Sequence, residues 1–185
     1  MFELDQFIAD CKSAVEAPEP PQRVKALVQQ ALTDPENLKA AITGKRTGNS
    51  LRDAVLYCSD ELTILPATTP PGLRTPPHNH QMWAVIGVYE GIEPNDFYLD
   101  GNEGLEKKSS RVLETGDVAV LDGNTIHAIS NPLDVPCYAI HVYGGNLIDR
   151  EGRSMWNPQT WQREPYDIDQ LSIYIQEMRE SDTAA

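Results

Sequence analysis

Gly72-Leu73-Arg74-Thr75-Pro76-Pro77-His78-Asn79-His80, followed downstream by Gly116-Asp117-Val118-Ala119-Val120-Leu121-Asp122-Gly123-Asn124-Thr125-Ile126-His127, is the part of the sequence that decides the fold. The chain has four histidines, and three of them lie in these two segments. His78 and His80 form an H-x-H on one strand edge, where the alternation of side chains points both imidazoles to the same face. Two donors from one rigid segment chelate a metal well. Around this pair run short stretches rich in β-branched and aromatic residues, punctuated by Gly, Pro, Asn and Asp: Ala54–Cys58, Leu62–Pro66, Met82–Tyr89, Asp96–Leu99, Ser110–Leu113, Val118–Leu121, Ala128–Ile129 and Cys137–Val142. Strands so spaced predict a sandwich or barrel, not strands alternating with helices.

The flanks have a different period. Leu4, Phe7, Ile8, Cys11 and Val15 fall on one helical face, which makes Cys11 a core thiol. After the break Pro18-Glu19-Pro20-Pro21, the residues Val24, Leu27, Val28, Ala31 and Leu32 repeat the pattern. Asp34-Pro35 reads as an N-cap with proline at the first helical position, opening a short helix through Leu38, Ala41 and Ile42 that stops near Gly44. Ile168, Leu171, Ile175 and Met178 return to helical spacing. The expected organisation is one single domain: a helical segment at 1–48 packed on a barrel at 49–155, then an extension with a helix at 156–185. A length of 185 residues suits this.

Charge and cysteines narrow the class. With 28 acidic against 15 basic side chains the net charge is −13, so nucleic acid and anionic membranes are poor partners. No apolar run approaches the ~18 residues that span a bilayer. The N-terminus lacks a basic start and apolar core, and Cys11, Cys58 and Cys137 form no disulfide framework, so a reducing cytoplasm is expected.

The spacings resemble the two motifs of the cupin superfamily, G-x5-H-x-H-x3-E-x6-G and G-x5-P-x-G-x2-H-x3-N. They stand here as Gly72, His78, His80, Ala84 and Gly91, then Gly116, Asp122, Asn124, His127 and Asn131. The resemblance implies a mainly β protein, the cupin double-stranded β-helix or jelly-roll barrel, with added N-terminal helices and a C-terminal helix. Asp122 and Asn124 replace Pro and Gly but suit a turn. Ala84 stands where most cupins carry a glutamate ligand and cannot ligate. The implied metal ligands are therefore His78, His80 and His127, a neutral face with open positions, as a catalytic centre needs. A cupin that has lost its metal is the rival reading.

Ala139-Ile140-His141-Val142-Tyr143 is similar to the S-x-H-x-Y strand of thiol dioxygenases of the cysteine dioxygenase type, with Ala139 in place of the serine. In that family the His and Tyr, here His141 and Tyr143, assist the chemistry beside the metal; the bland alternative is a core Tyr and a buried His. No cysteine is placed to cross-link the tyrosine. The expected cofactor is Fe(II), and the expected partners are O2 and a small thiol such as cysteine or mercaptopropionate, in a monomer or small homo-oligomer. A three-histidine dioxygenase cleaving carbon–carbon bonds of a diketone or aromatic acid, and a non-catalytic ligand-binding cupin, are the alternatives. Substrate-binding candidates are Arg52 and Arg74 for a carboxylate, with Arg52 slightly preferred. Of Met82 and Trp83, one is expected to line the cavity and the other to pack outward.

Overall fold

The computed structural model of the chain describes residues 2–43, 45, 51–101 and 104–183, without the side chains of 51, 52, 182 and 183. Along it come α1 (Leu4–Val15), α2 (Pro20–Ala31), α3 (Pro35–Ile42), α4 (Leu51–Ala54), β1 (Tyr57–Cys58), β2 (Thr63–Thr69), β3 (Ala84–Glu90), β4 (Ile92–Gly101), β5 (Gly104–Glu114), β6 (Val118–Leu121), β7 (Ile126–Ile129), β8 (Cys137–Tyr143), β9 (Ser154–Trp156), β10 (Arg163–Pro165) and α5 (Ile168–Thr183). One antiparallel sheet has the order β1-β2-β8-β3-β6 and the other β5-β4-β7. Residues 74–78 extend the second sheet beyond β7 through the bridges Arg74↔Ser130 and His78↔His127. Between β2 and β8 the chain passes from one sheet to the other in the jelly-roll manner, so the fold is the double-stranded β-helix expected from the sequence.

The 74–80 segment is not the regular strand expected for the H-x-H. Pro76 and Pro77 have no N–H to give a ladder, and the segment is held by isolated bridges, Arg74 to Ser130 and His78 to His127 and Met155. Two further elements differ. Ala54 ends a short helix instead of opening a strand, and the β9–β10 hairpin is too short to carry a periodic signal. Arg52 belongs to α4, but its side chain, like the expected stop Gly44, lies outside the described residues.

Alternation along β8 divides the interior in two. Tyr138, Ile140 and Val142 face the helices, where Phe7, Cys11, Val24, Val28, Leu38 and Ile42 bury against them and Val85. A Cβ at Gly87 would collide with Val28, so α2 lies hard against β3. Asp34 caps α3 by accepting from the Asn37 N–H at 3.4 Å, as its place before Pro35 predicts. Cys137, Ala139, His141 and Tyr143 face the other way, into the barrel, with Leu65, Ala84, Ile86, Val88 and Leu121. The motif glycine Gly91 turns the β3–β4 connection at φ +85°, and a Cβ there would also crowd Cys137 Cα at 3.1 Å.

The helices lie on the face of the sheet away from the barrel interior. Phe7 is 6% exposed, and Phe7→Ala is expected to cost about 3–5 kcal/mol of stability by leaving a cavity in that outer cluster. A fall in urea midpoint with an unchanged slope is the check, and activity per folded molecule should hold.

Candidate metal centre

The barrel interior collects His78, His80 and His127, whose candidate ligand atoms all lie within 4.8 Å of one another. Each is brought there by a different constraint. His78 sits on the bridge to His127, with the backbone pairs His78 N–His127 O at 2.9 Å and His127 N–His78 O at 3.0 Å. Asn79, between the two histidines, is buried and accepts from the Ser154 N–H at 2.8 Å, away from the cluster that His78 and His80 form. His127 is the second residue of β7, after a turn in which Asp122 Oδ1 accepts from Asn124 N–H at 2.8 Å, so Asp and Asn do the work of the motif's Pro and Gly. Asn131 closes the next turn, its amide donating to Thr69 O and Val135 O at 2.7 and 2.8 Å.

The outer nitrogens set the tautomers. His78 Nδ1–H donates to Pro76 O at 3.0 Å and His127 Nδ1–H to Asn95 Oδ1 at 2.8 Å, so both present an Nε2 lone pair to the centre. His80 Nε2 stands 3.0 Å from His127 Nε2, and His80 Nδ1 is buried with no partner among the described residues. Burial pushes the His78 imidazole down to about 4, and burial together with the neighbouring histidines pushes His80 and His127 well below the ordinary range. Three neutral imidazoles with converging lone pairs repel one another and suit a shared cation. Two nitrogens each about 2.1 Å from an ion and at right angles stand about 3.0 Å apart, which matches the His80–His127 pair. The residues therefore fit a divalent transition metal.

Beside this cluster β8 places His141 and Tyr143. The Tyr143 ring centroid is 5.0 Å from that of His80, and its hydroxyl is 3.0 Å from His141 Nδ1. In the β3–β8 register Tyr143 pairs with Ala84, so the alanine that replaces the usual glutamate stands directly across from the phenol. Burial pushes the Tyr143 phenol above its ordinary range, and it stays protonated at neutral pH. His141 Nε2 is 3.1 Å from Glu93 Oε2, a carboxylate with no exposed surface. Burial alone would raise the Glu93 carboxyl; the neighbouring His141 ring and hydrogen bonds from His141 and Asn95 hold it below the ordinary range.

Among the described side chains, the arginine whose charge reaches the centre is Arg153. Arg74 is exposed and lines a separate 310 Å³ cavity with Tyr98 and Trp161. Arg153 is buried instead, stacked 3.5 Å over the Tyr166 ring, with Nη1 donating to Leu147 O at 2.9 Å and Nε to Asn79 O at 3.4 Å. None of the ion pairs found among the described residues involves it. Its charge acts on His78, His80 and Tyr143, and Tyr166 lies 6.2 Å from the His78 ring. Arg153 and Tyr166 line a cavity of about 610 Å³, walled by Leu65, Ala67 and Leu147 and covered by Ile168 and Ser172 of α5. Met82 packs with the inner cluster and Trp83 with the helix-side one, and neither lines this cavity.

Sequence reading missed Glu93, Asn95, Arg153 and Tyr166. The first two carried a signal, an acid and an amide two apart on one strand face; the arginine and tyrosine carried none.

No known protein-family model matches the chain. Among solved structures, it is similar to a double-stranded β-helix protein from Klebsiella pneumoniae at 15% identity, over 61% of this chain and 93% of that one, with a TM-score of 0.44. It is also similar to a DMSP lyase from Ruegeria pomeroyi at 23% identity, over 64% of this chain and 59% of that one, with a TM-score of 0.43. A third is oxalate decarboxylase from Bacillus subtilis, a protein with Mn(II) centres, at 16% identity, over 54% and 25% of the two chains, with a TM-score of 0.42.

Proposed function

We propose that the protein is an Fe(II)-dependent dioxygenase that oxidises a small thiol carrying an acid group to its sulfinate. The overall change is R–SH + O2 → R–SO2H, in which both oxygen atoms go to sulfur and sulfur supplies the four electrons. The observation that carries this reading is the placing of a protonated phenol and an imidazole, Tyr143 and His141, on the same inner face as three neutral histidines. A protein that only binds a ligand has no use for a proton donor there. The ion, when bound by His78, His80 and His127, would make the thiol a thiolate at neutral pH and activate dioxygen.

The chain's own residues do the rest. Tyr143 Oη lies 3.0 Å from His141 Nδ1, which can take or return the phenol's proton. Leu65, Ala67 and Leu147 give the cavity beside Arg153 and Tyr166 apolar walls, a place for the apolar part of a substrate. Arg153 is the group suited to hold the substrate's acid, since a guanidinium shielded from water and in no ion pair among the described residues favours an anion.

Oxygen consumption measured against a panel of thiols, with sulfinate quantified, tests the reading. Turnover with a thiol carboxylate is expected, and Tyr143→Phe should slow it on the order of 10–100-fold with metal content unchanged. Oxygen uptake with a diketone and none with any thiol would replace this reading with carbon–carbon cleavage.

A further inference from the structure

We propose that Glu93 is a positioning residue that sets the hydrogen-bond direction of the His141–Tyr143 pair, and that Asn95 ties it to the metal ligand His127. The proposal rests on the three-histidine centre but not on the identity of the substrate. One continuous path crosses the barrel: His127 Nδ1 to Asn95 Oδ1 at 2.8 Å, Asn95 Nδ2 to Glu93 Oε1 at 3.1 Å, Glu93 Oε2 to His141 Nε2 at 3.1 Å, and His141 Nδ1 to Tyr143 Oη at 3.0 Å. Each residue on it is buried, and β4 supplies the middle two from adjacent inward positions.

The direction of every bond follows from the metal end. A ligand must offer the Nε2 lone pair of His127, so its hydrogen is on Nδ1 and Asn95 Oδ1 accepts it. The Asn95 amide nitrogen then faces Glu93 as a donor. A carboxylate has acceptors on both sides, so it can take this hydrogen on one oxygen and one from His141 Nε2–H on the other. His141 is thereby left with an Nδ1 lone pair toward Tyr143, and the phenol O–H donates to it. Glu93 is the point where the direction of donation reverses.

Gln in this place cannot do the same. Its oxygen must accept from Asn95, which puts its N–H2 against His141 Nε2. That nitrogen must then accept, the ring hydrogen moves to Nδ1, and His141 becomes a donor to Tyr143. A substitution that conserves shape thus inverts the pair. Ala139 stands two residues before His141 on the same inward face, too short to orient the ring, so the carboxylate on β4 supplies the partner that β8 does not.

The chain has only four histidines, which makes their ring nitrogens readable by 15N NMR. With Zn2+, a diamagnetic probe, occupying the three-histidine centre, the remaining ring is that of His141. In the wild type its Nε2 should carry hydrogen. In Glu93→Gln its Nε2 should be bare and Nδ1 protonated, while Zn2+ still binds. In the iron-loaded enzyme the same variant should lose kcat on the order of 10–100-fold with little change in KM. A bare Nε2 on His141 in the wild type overturns the proposal with no variant needed. An unchanged tautomer in Glu93→Gln, or a changed tautomer with unchanged kcat, overturns it as well. Absence of thiol oxidation altogether would sink the proposed reaction and leave the NMR result standing by itself.

Discussion

His127→Ala is expected to purify with little or no iron and to show no oxygen uptake. His127 is 2% exposed, and its Nε2 is 3.0 Å from that of His80, so deleting it removes one of three converging donors and leaves Asn95 Oδ1 without the hydrogen it accepts at 2.8 Å. Loss of a partner that merely orients a ligand weakens metal sites on the order of 10–100-fold, and loss of the ligand itself should exceed that. Two histidines do not make up the difference, because Ala84 offers no fourth donor and the apolar residues around it offer none either. His141→Ala provides the contrast. It removes the fourth histidine without removing a ligand, so iron should remain while turnover falls. Metal analysis of protein purified without added metal, with a calorimetric titration of each variant, reads both. Full iron occupancy in His127→Ala, or equal loss in both variants, would remove His127 from the ligand set.

The three-histidine cluster could be read from the sequence because motif spacing encodes it locally. His78 and His80 lie in one segment, and His127 follows a glycine and a turn at a fixed distance along the chain. The β8 pair was legible for the same reason, since alternation alone puts His141 and Tyr143 on one face. Glu93 and Asn95 are also two apart on a strand, but an acid and an amide in a polar stretch beside Pro94 look like an exposed edge. Only the register of β4 against β7, which sets Asn95 opposite Ile129 and Phe97 opposite His127, turns them inward. Arg153 was less legible still. It comes from the loop before β9, and the three-residue β9–β10 hairpin that fixes it carries no periodic signal. Arg74 lay nearer in sequence to the three histidines, but the 74–78 segment turns Thr75 and His78 inward and leaves residue 74 exposed.

Arg153→Lys should raise KM for a thiol carboxylate while leaving an amine thiol of the same length, without the acid, nearly unaffected. The substitution keeps the positive charge and discards the planar fork. Arg153 uses Nη1 and Nε to hold the carbonyls of Leu147 and Asn79, which anchors the guanidinium plane against Tyr166 and leaves Nη2 without a protein acceptor among the described residues. An ammonium can neither stack flat on the ring nor donate in three directions from a fixed plane. A charge-assisted hydrogen bond is worth about 1.5–3 kcal/mol, so KM for the acid should rise roughly 10–100-fold, with kcat changed far less if the acid is held equally in the ground and transition states. A buried arginine also supports its surroundings, and the amine thiol controls for that. General loosening of the Leu147 and Asn79 segments, the second of which lies between His78 and His80, would lower turnover of both substrates and shift the melting temperature. A loss confined to the acid assigns Arg153 to the substrate carboxylate. Equal losses on both substrates, or none on either, would make it a structural clamp and take the acid group out of the proposed substrate.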